Sequence, residues 1–381
     1  MKNKFLCFAV LFFILASCSD KQSISVSVRN TTEIARNMET VEINWKQLSE
    51  QLDGITQENV VVCNSAGEEI PSQVIFNGST EPQMLIFQVS VQPNAEVVYK
   101  VKLGQPTAYV RKAYGRFVPE RMDDYAWENN LVGHRMYGPA LETTGEISNG
   151  IDTWVKRTDE LLIDEWYKTG DYHKDHGKGM DCYKVGRTLG SGAMASYQNG
   201  KIVLANNYIR QQTLDNGPLR ISFRLDYAPF KVGKVEVTET RIISLDANSH
   251  FNRIEEIYAG TPEEMPVVAG IVTRPEPGDT LMDVSDGVVA YWEPQNHDNG
   301  DNNGHIGIGL VIPVDMTDIL VENGHLLALT TYPGAGRSLV YYMGTGWSKA
   351  DVKSAANWFD MVKKESFKIK NPLVVSILKG K

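Results

Sequence analysis

From Ser23 onward apolar and polar residues alternate in short runs broken by Asn, Gly and Pro. A chain with that period can hide its apolar side chains only on one face of a sheet. The runs 24–28, 41–45, 60–62, 73–76, 84–89 and 97–101 follow one another at about ten-residue spacing, the pattern of a β-sandwich. One short helical stretch, 45–52, interrupts them. A second series (201–208, 219–227, 235–245, 251–258, 288–292, 306–312, 326–331 and 339–343) has too many long strands for a seven-stranded sandwich. It also lacks the strand–helix alternation of a Rossmann or barrel fold. The expectation is an all-β protein with few helices: an N-terminal sandwich over 24–106 and a large antiparallel double sheet over 107–381. One longer helix is predicted near the end, capped by Ser348 with Asp351 three residues on, with Val352, Ala355, Ala356, Phe359, Val362 and Lys363 at helical spacing. Pro372 stops it, and 373–378 returns as a strand.

The start of the chain is of another kind. Lys2 and Lys4 precede an apolar run, 5–15, that ends in Leu15-Ala16-Ser17-Cys18. Such a run is too short to span a membrane as a mature helix and reads as a signal peptide, 1–17, with a lipoprotein-type cleavage site. Cleavage leaves Cys18 lipidated, with 18–23 as a tether, and places the protein in the cell envelope, periplasmic or anchored at the outer membrane. Of four cysteines, only Cys63 and Cys182 then remain, without the CxxC spacing of a thiolate zinc site, and two free or buried thiols are expected. A net charge of -9 provides no basic surplus for a phosphate backbone, so nucleic acid is excluded as a partner.

Chemistry concentrates in three places. In 119–138, Trp127, Tyr125 and Tyr137 are of a kind that stacks on sugar faces, Glu128 stands beside Trp127, and Arg121 and Arg135 can hold an anionic group; a polar strand pair with surface ion pairs is the alternative. In 171–181, Gly177 and Gly179 make a long helix improbable, so His173, Asp175 and His176 lie on a loop that can bring them together. A His held by a carboxylate titrates near neutrality and moves protons, and Tyr172 or Tyr183 can supply a second proton. The same three side chains could ligate a divalent metal, without the helical spacing that would make such a site specific; no cofactor is required. In 297–305, Asn299, Asp301, Asn303 and Gly304 imitate a calcium loop, but its last ligand position is Leu310, so a hairpin or site-lining loop is expected.

The blocks Pro119-Glu120-Arg121, Trp127-Glu128-Asn129, Arg135-Met136-Tyr137-Gly138-Pro139-Ala140, the stretch from Gly150 through Trp154 and Lys156 to Arg157, and Tyr172-His173 to Asp175-His176-Gly177 resemble a Bacteroidetes lipoprotein family of unknown function from polysaccharide-utilisation gene clusters. The resemblance implies a galactose-mutarotase-like supersandwich and, for some relatives, elimination of water from a terminal uronic acid. On such a substrate the proton at C5 must leave while the neighbouring carboxylate is neutralised, a task open to Arg135, Lys156 or Arg220. His173 or His176, polarised by Asp175, serves as base, and Tyr172 or the other His protonates the group leaving C4. Trp154 and Lys156 complete the expected substrate contacts. A glycoside hydrolase with paired carboxylates drawn from Asp124, Glu128, Asp164 and Asp175 is the second reading. A mutarotase or a non-catalytic glycan-binding protein is the third. The expected partner is an oligosaccharide, with the membrane reached through the lipid anchor; oligomeric state is left open.

Overall fold

The computed structural model describes residues 23–261, 264–296, 302–334 and 336–378, nearly all of them in strands or the turns between strands. The segment expected to be a signal peptide, Cys18 and residues 297–301 of the expected 297–305 loop lie outside the described residues. A five-stranded sheet in the order Val374–Leu378, Ser23–Arg29, Glu96–Leu103, Val60–Cys63, Glu69–Ile70 packs on a three-stranded sheet of Arg36–Asn44, Met84–Val91 and Ser72–Ile75. Val26, Val28, Val62, Phe87 and Val101 fill the space between them. The final strand thus belongs beside the first: Ser25 pairs with Leu378 and Arg29 with Val374, and Leu373, Val375 and Ile377 pack on the N-terminal core.

The rest of the chain forms the large antiparallel β assembly that the alternation predicts. A nine-stranded sheet and two five-stranded sheets enclose one continuous apolar core. Cys63 and Cys182 are both buried and unpaired. Helices are few: α1 (Trp45–Ser49), α2 (Pro139–Glu142), α3 (Ile163–Thr169) and α4 (Ala355–Lys370).

The sequence places the start of α4 too early. Its N-cap is Ser354, whose hydroxyl accepts from the Asn357 amide at 3.2 Å. Ser348 instead prolongs a strand pairing, its amide donating to His305 O at 2.9 Å and its Oγ accepting from His305 N at 2.8 Å. Asp351 turns to His250, with Oδ2 at 2.8 Å from Nε2. A side chain that satisfies a strand end cannot also cap a helix. Trp358 and Val362 are the apolar residues α4 buries, with Ser366 one turn on, and the nine-stranded sheet makes room by omitting side chains. A Cβ at Gly307 would lie 2.6 Å from the Trp358 ring, and one at Gly309 2.6 Å from Val362. Phe251 lies parallel to the Trp358 ring at 5.6 Å.

The two sandwiches are joined through paired backbone groups. Gln73 accepts from the amides of Leu219 and Arg220 and donates to Arg220 O, while Asp215 accepts from the amides of Phe76 and Asn77. Buried amides and carbonyls left unpaired at such a seam would each cost on the order of 1–3 kcal/mol, so these side chains fix the relative placement of the two cores.

Candidate active site

The sheet Gly179–Asp181, Asp152–Lys156, Val132–Met136, Asp124–Asn129, Ala113–Val118 has two unlike faces, because successive side chains point to opposite sides. Tyr125, Trp127, Val132, Met136, Val155 and Met180 enter the core. Asp124, Glu128, Arg135, Asp152, Trp154, Lys156 and Asp181 share the other face, where Arg135 pairs in register with Asp152 and Trp154 with Asp181. α3 and Tyr172 cover part of that face, packing Ile163, Trp166 and Tyr172 against Trp154 and Ala126. Gly179 allows the outermost strand to approach: its φ is +132° and a Cβ there would fall 2.0 Å from Val155 O. Only glycine tolerates both conditions.

Arg135, 4% exposed, is the centre of the polar face. Its Nε and Nη2 lie 2.9 and 2.6 Å from Asp152 Oδ2, Nη2 lies 2.9 Å from Asp181 Oδ2, and Nη1 stands 3.6 Å from Asp124 Oδ2. Tyr137 donates to Asp152 at 3.2 Å and Tyr167 to Asp124 at 3.4 Å. The Tyr172 hydroxyl accepts from Arg135 Nη1 at 3.4 Å and from Arg121 Nε at 3.3 Å. Three carboxyl groups therefore face one guanidinium, with Arg121 as the second cation. Burial pushes the Asp124 carboxyl up to about 7, against the pull of Arg135 and Arg121. Burial, with the neighbouring charge of Asp152, drives Asp181 well above the usual carboxylate range. A like-charged cluster out of water holds on to protons.

Beside this cluster opens a cleft of about 330 Å³, lined among others by Arg135, Tyr137, His173, Asp181 and Tyr183. The His173 side chain is 61% exposed, with Nδ1 3.3 Å from Asp181 O and 3.5 Å from Asp181 Oδ2. An Nδ1–H held on a carbonyl leaves the Nε2 lone pair available for a proton. Behind the cleft residues Tyr183 and Lys184, the Arg274 guanidinium lies 4.8 Å over the Tyr183 ring, donates to Lys184 O at 2.6 Å and pairs with Glu293 at 3.0 Å.

Residues 28–375 match the family described as a domain of unknown function, DUF4861. The chain belongs to that family. It is 30% identical to "Uncharacterized protein P7" of Formosa agariphila, over 97% of this chain and 98% of that protein. Among solved structures it is similar to a protein in glycosyl hydrolase family 38 and to an α-mannosidase, both from Enterococcus faecalis. The TM-scores are 0.53 and 0.51 at 10% identity, covering 94% of this chain and 48% and 46% of those. The chain spans about half the length of those structures, and at such identity the likeness shows the fold.

In this member of the DUF4861 family, six of the residues expected from sequence come together: Arg121, Arg135, Tyr137, Trp154, Tyr172 and His173. The Arg135 guanidinium lies 5.4 Å over the Trp154 ring, and Trp154 contacts the Tyr172 ring at 5.3 Å, so Trp154 backs the site. The others are committed elsewhere. His176 pairs with Asp171 at 2.9 Å, both exposed. Asp175 pairs with Arg157 at 2.8 Å and accepts from the amides of Gly177 and Gly179, so it shapes the loop and does not polarise an imidazole. Trp127 is fully buried and donates to Asn252 at 2.7 Å in the core. Glu128 binds Lys156 at 2.6 Å and accepts from the amides of Leu162 and Ile163, which fixes the start of α3. Arg220 is held by Glu42 and Asp246 near the seam between the sandwiches. Of the hydrolase candidates only Asp124 reaches the cluster, since Asp164 pairs with Arg116 at the surface. Among the described residues no group of three His, Cys, Asp or Glu is placed to hold a metal ion.

Asp152, Asp181 and Tyr167 belong to the cluster and were not singled out from the sequence, and Arg274 with Glu293 supports Tyr183 from behind. For Asp152 a signal existed. Asp152, Trp154 and Lys156 alternate along one strand, so two charges had to share a face with an aromatic ring.

Proposed function

We propose that this protein is a carbohydrate-active enzyme that eliminates a group from C4 of a uronic acid in an oligosaccharide, as a dehydratase or lyase. The observation that carries this reading is the cleft lined by the exposed His173 imidazole, the Arg135 guanidinium, Tyr137 and Tyr183, with a second guanidinium, Arg121, joined to Arg135 through the Tyr172 hydroxyl beside it. The likeness to glycoside-processing folds supports sugar as the substrate class by analogy of architecture. Arg121 forms no ion pair among the described residues and is the cation open to a substrate carboxylate. With that charge neutralised, the C5 proton passes to His173 Nε2. The C5–H electrons form the C4=C5 double bond, the C4–O bond breaks, and the leaving oxygen takes a proton from Tyr172. The products are a 4,5-unsaturated uronate and either water or a shortened glycan. Asp175 and His176 have no part in these steps. The mature protein is carried on a lipid at Cys18, a reading checked by palmitate labelling that disappears in Cys18→Ser.

Incubation with uronate-terminated oligosaccharides is the test. Elimination produces the ultraviolet absorbance of a conjugated unsaturated uronate, lost in His173→Ala and Arg121→Gln. Reducing-sugar release without that absorbance would make the protein a hydrolase. Binding with neither would leave a glycan-binding protein or a mutarotase.

A further inference from the structure

The charges around Arg135 do not balance. Arg121 and Arg135 supply two positive charges, and Asp124, Asp152 and Asp181 supply three carboxyl groups, with Arg135, Asp124, Asp152 and Asp181 all buried. Asp124 pairs with the apolar Val118 on one side and meets charged or titratable groups on the other. Arg121 precedes it in the chain, Arg135 stands on the neighbouring strand, Asp152 on the next and Asp181 on the one beyond. Tyr167 reaches it from α3, and Tyr208, whose hydroxyl is bound to Asp123 O, lies beside it. A substrate carboxylate on Arg121 would make the ratio four negative groups to two positive ones in a site shielded from water.

We propose that the cleft binds its anion together with a proton, and that Asp124 is the residue that takes it. Arg121 is one of the two cations that favour the charged form of Asp124. A carboxylate docked on Arg121 cancels that help, and the cheapest response is protonation of Asp124. Asp152 and Asp181 lie 2.6 and 2.9 Å from the Arg135 guanidinium, whereas Asp124 stands 3.6 Å from it with only a 3.4 Å bond from Tyr167, so Asp124 is the carboxyl least held in its charged form and the one with a proton to gain. Linkage makes the coupling reciprocal: affinity for the anion falls as pH rises past the Asp124 midpoint, by up to about tenfold per pH unit. Asp124 acts here as a positioning residue for charge. The inference rests on the reading of Arg121 as the anion-binding group.

Calorimetry in two buffers of different ionisation enthalpy, at pH 7.5, counts the protons. The probes are glucuronate and acetate, with glucose as the uncharged control. Expected are proton uptake with both anions, none with glucose, and a fall in affinity between pH 6.5 and 8.5. Asp124→Asn, neutral at every pH, keeps its affinity across that range; if this variant does not fold, the wild-type proton count and slope still decide. Glucuronate binding without proton uptake overturns the coupling and leaves the uronate reading standing. Uptake with acetate but no binding of glucuronate keeps the coupling and removes the uronate reading. No binding of either anion removes both.

Discussion

His173 and His176 stand three residues apart on one loop and have different surroundings: one beside Asp181 at the cleft, the other paired with Asp171 in solvent. His173→Ala is expected to lower elimination by about 100-fold or more, the usual range for a lost general base. His176→Ala should leave turnover unchanged. Initial rates followed by absorbance separate the two. The Asp124 carboxyl carries a second prediction. Its folded midpoint is raised to about 7 while the unfolded chain releases the proton near 3.8. Its contribution to stability is therefore full below about pH 4 and is lost as pH rises through 7, by an amount on the order of 4 kcal/mol at most. Urea unfolding at pH 4.5 and 8 should show that slope, reduced in Asp124→Asn. At this scale the sequence was legible in part. Arg121, Arg135, Tyr172 and His173 could be named because unusual residue types crowd together there. Trp127 and Glu128 could not be sorted by type, since neighbours in a strand face opposite ways and only the fold decides which face enters the core and which is covered by α3.

α4 shows how an element depends on what its partner leaves out. Gly307, Gly309, Gly344 and Gly346 clear the sheet face on which Trp358 and Phe251 lie parallel. Trp358→Ala is expected to cost about 3–5 kcal/mol through the cavity it leaves. Gly307→Val should destabilise by overpacking of the same seat. Denaturant midpoints at constant slope would measure both. The helix itself was readable from its apolar spacing, whereas its start was not. Ser348 and Ser354 are equally good caps in sequence, and a strand pairing with His305 removes the first from contention. α3 escaped the sequence reading because it is seven residues long and is held in place by Glu128 from the sheet below, a contact remote in sequence.

Across the whole molecule, strand alternation predicted the class of fold, and tertiary pairing supplied what alternation does not contain. Nothing in 374–378 distinguishes a strand of the large assembly from one of the N-terminal sheet; only the pairing of Ser25 with Leu378 does. The seam built on Gln73, Asp215 and Arg220 predicts that the two sandwiches unfold together. Gln73→Ala, which strands one buried and one partly buried amide, should broaden or split the single calorimetric transition; an unchanged sharp transition would show that the seam carries no coupling. Because the strand at Ser23–Arg29 has Val374–Leu378 as one of its two neighbours, that edge of the N-terminal sheet stays open throughout synthesis, until residue 378 has left the ribosome.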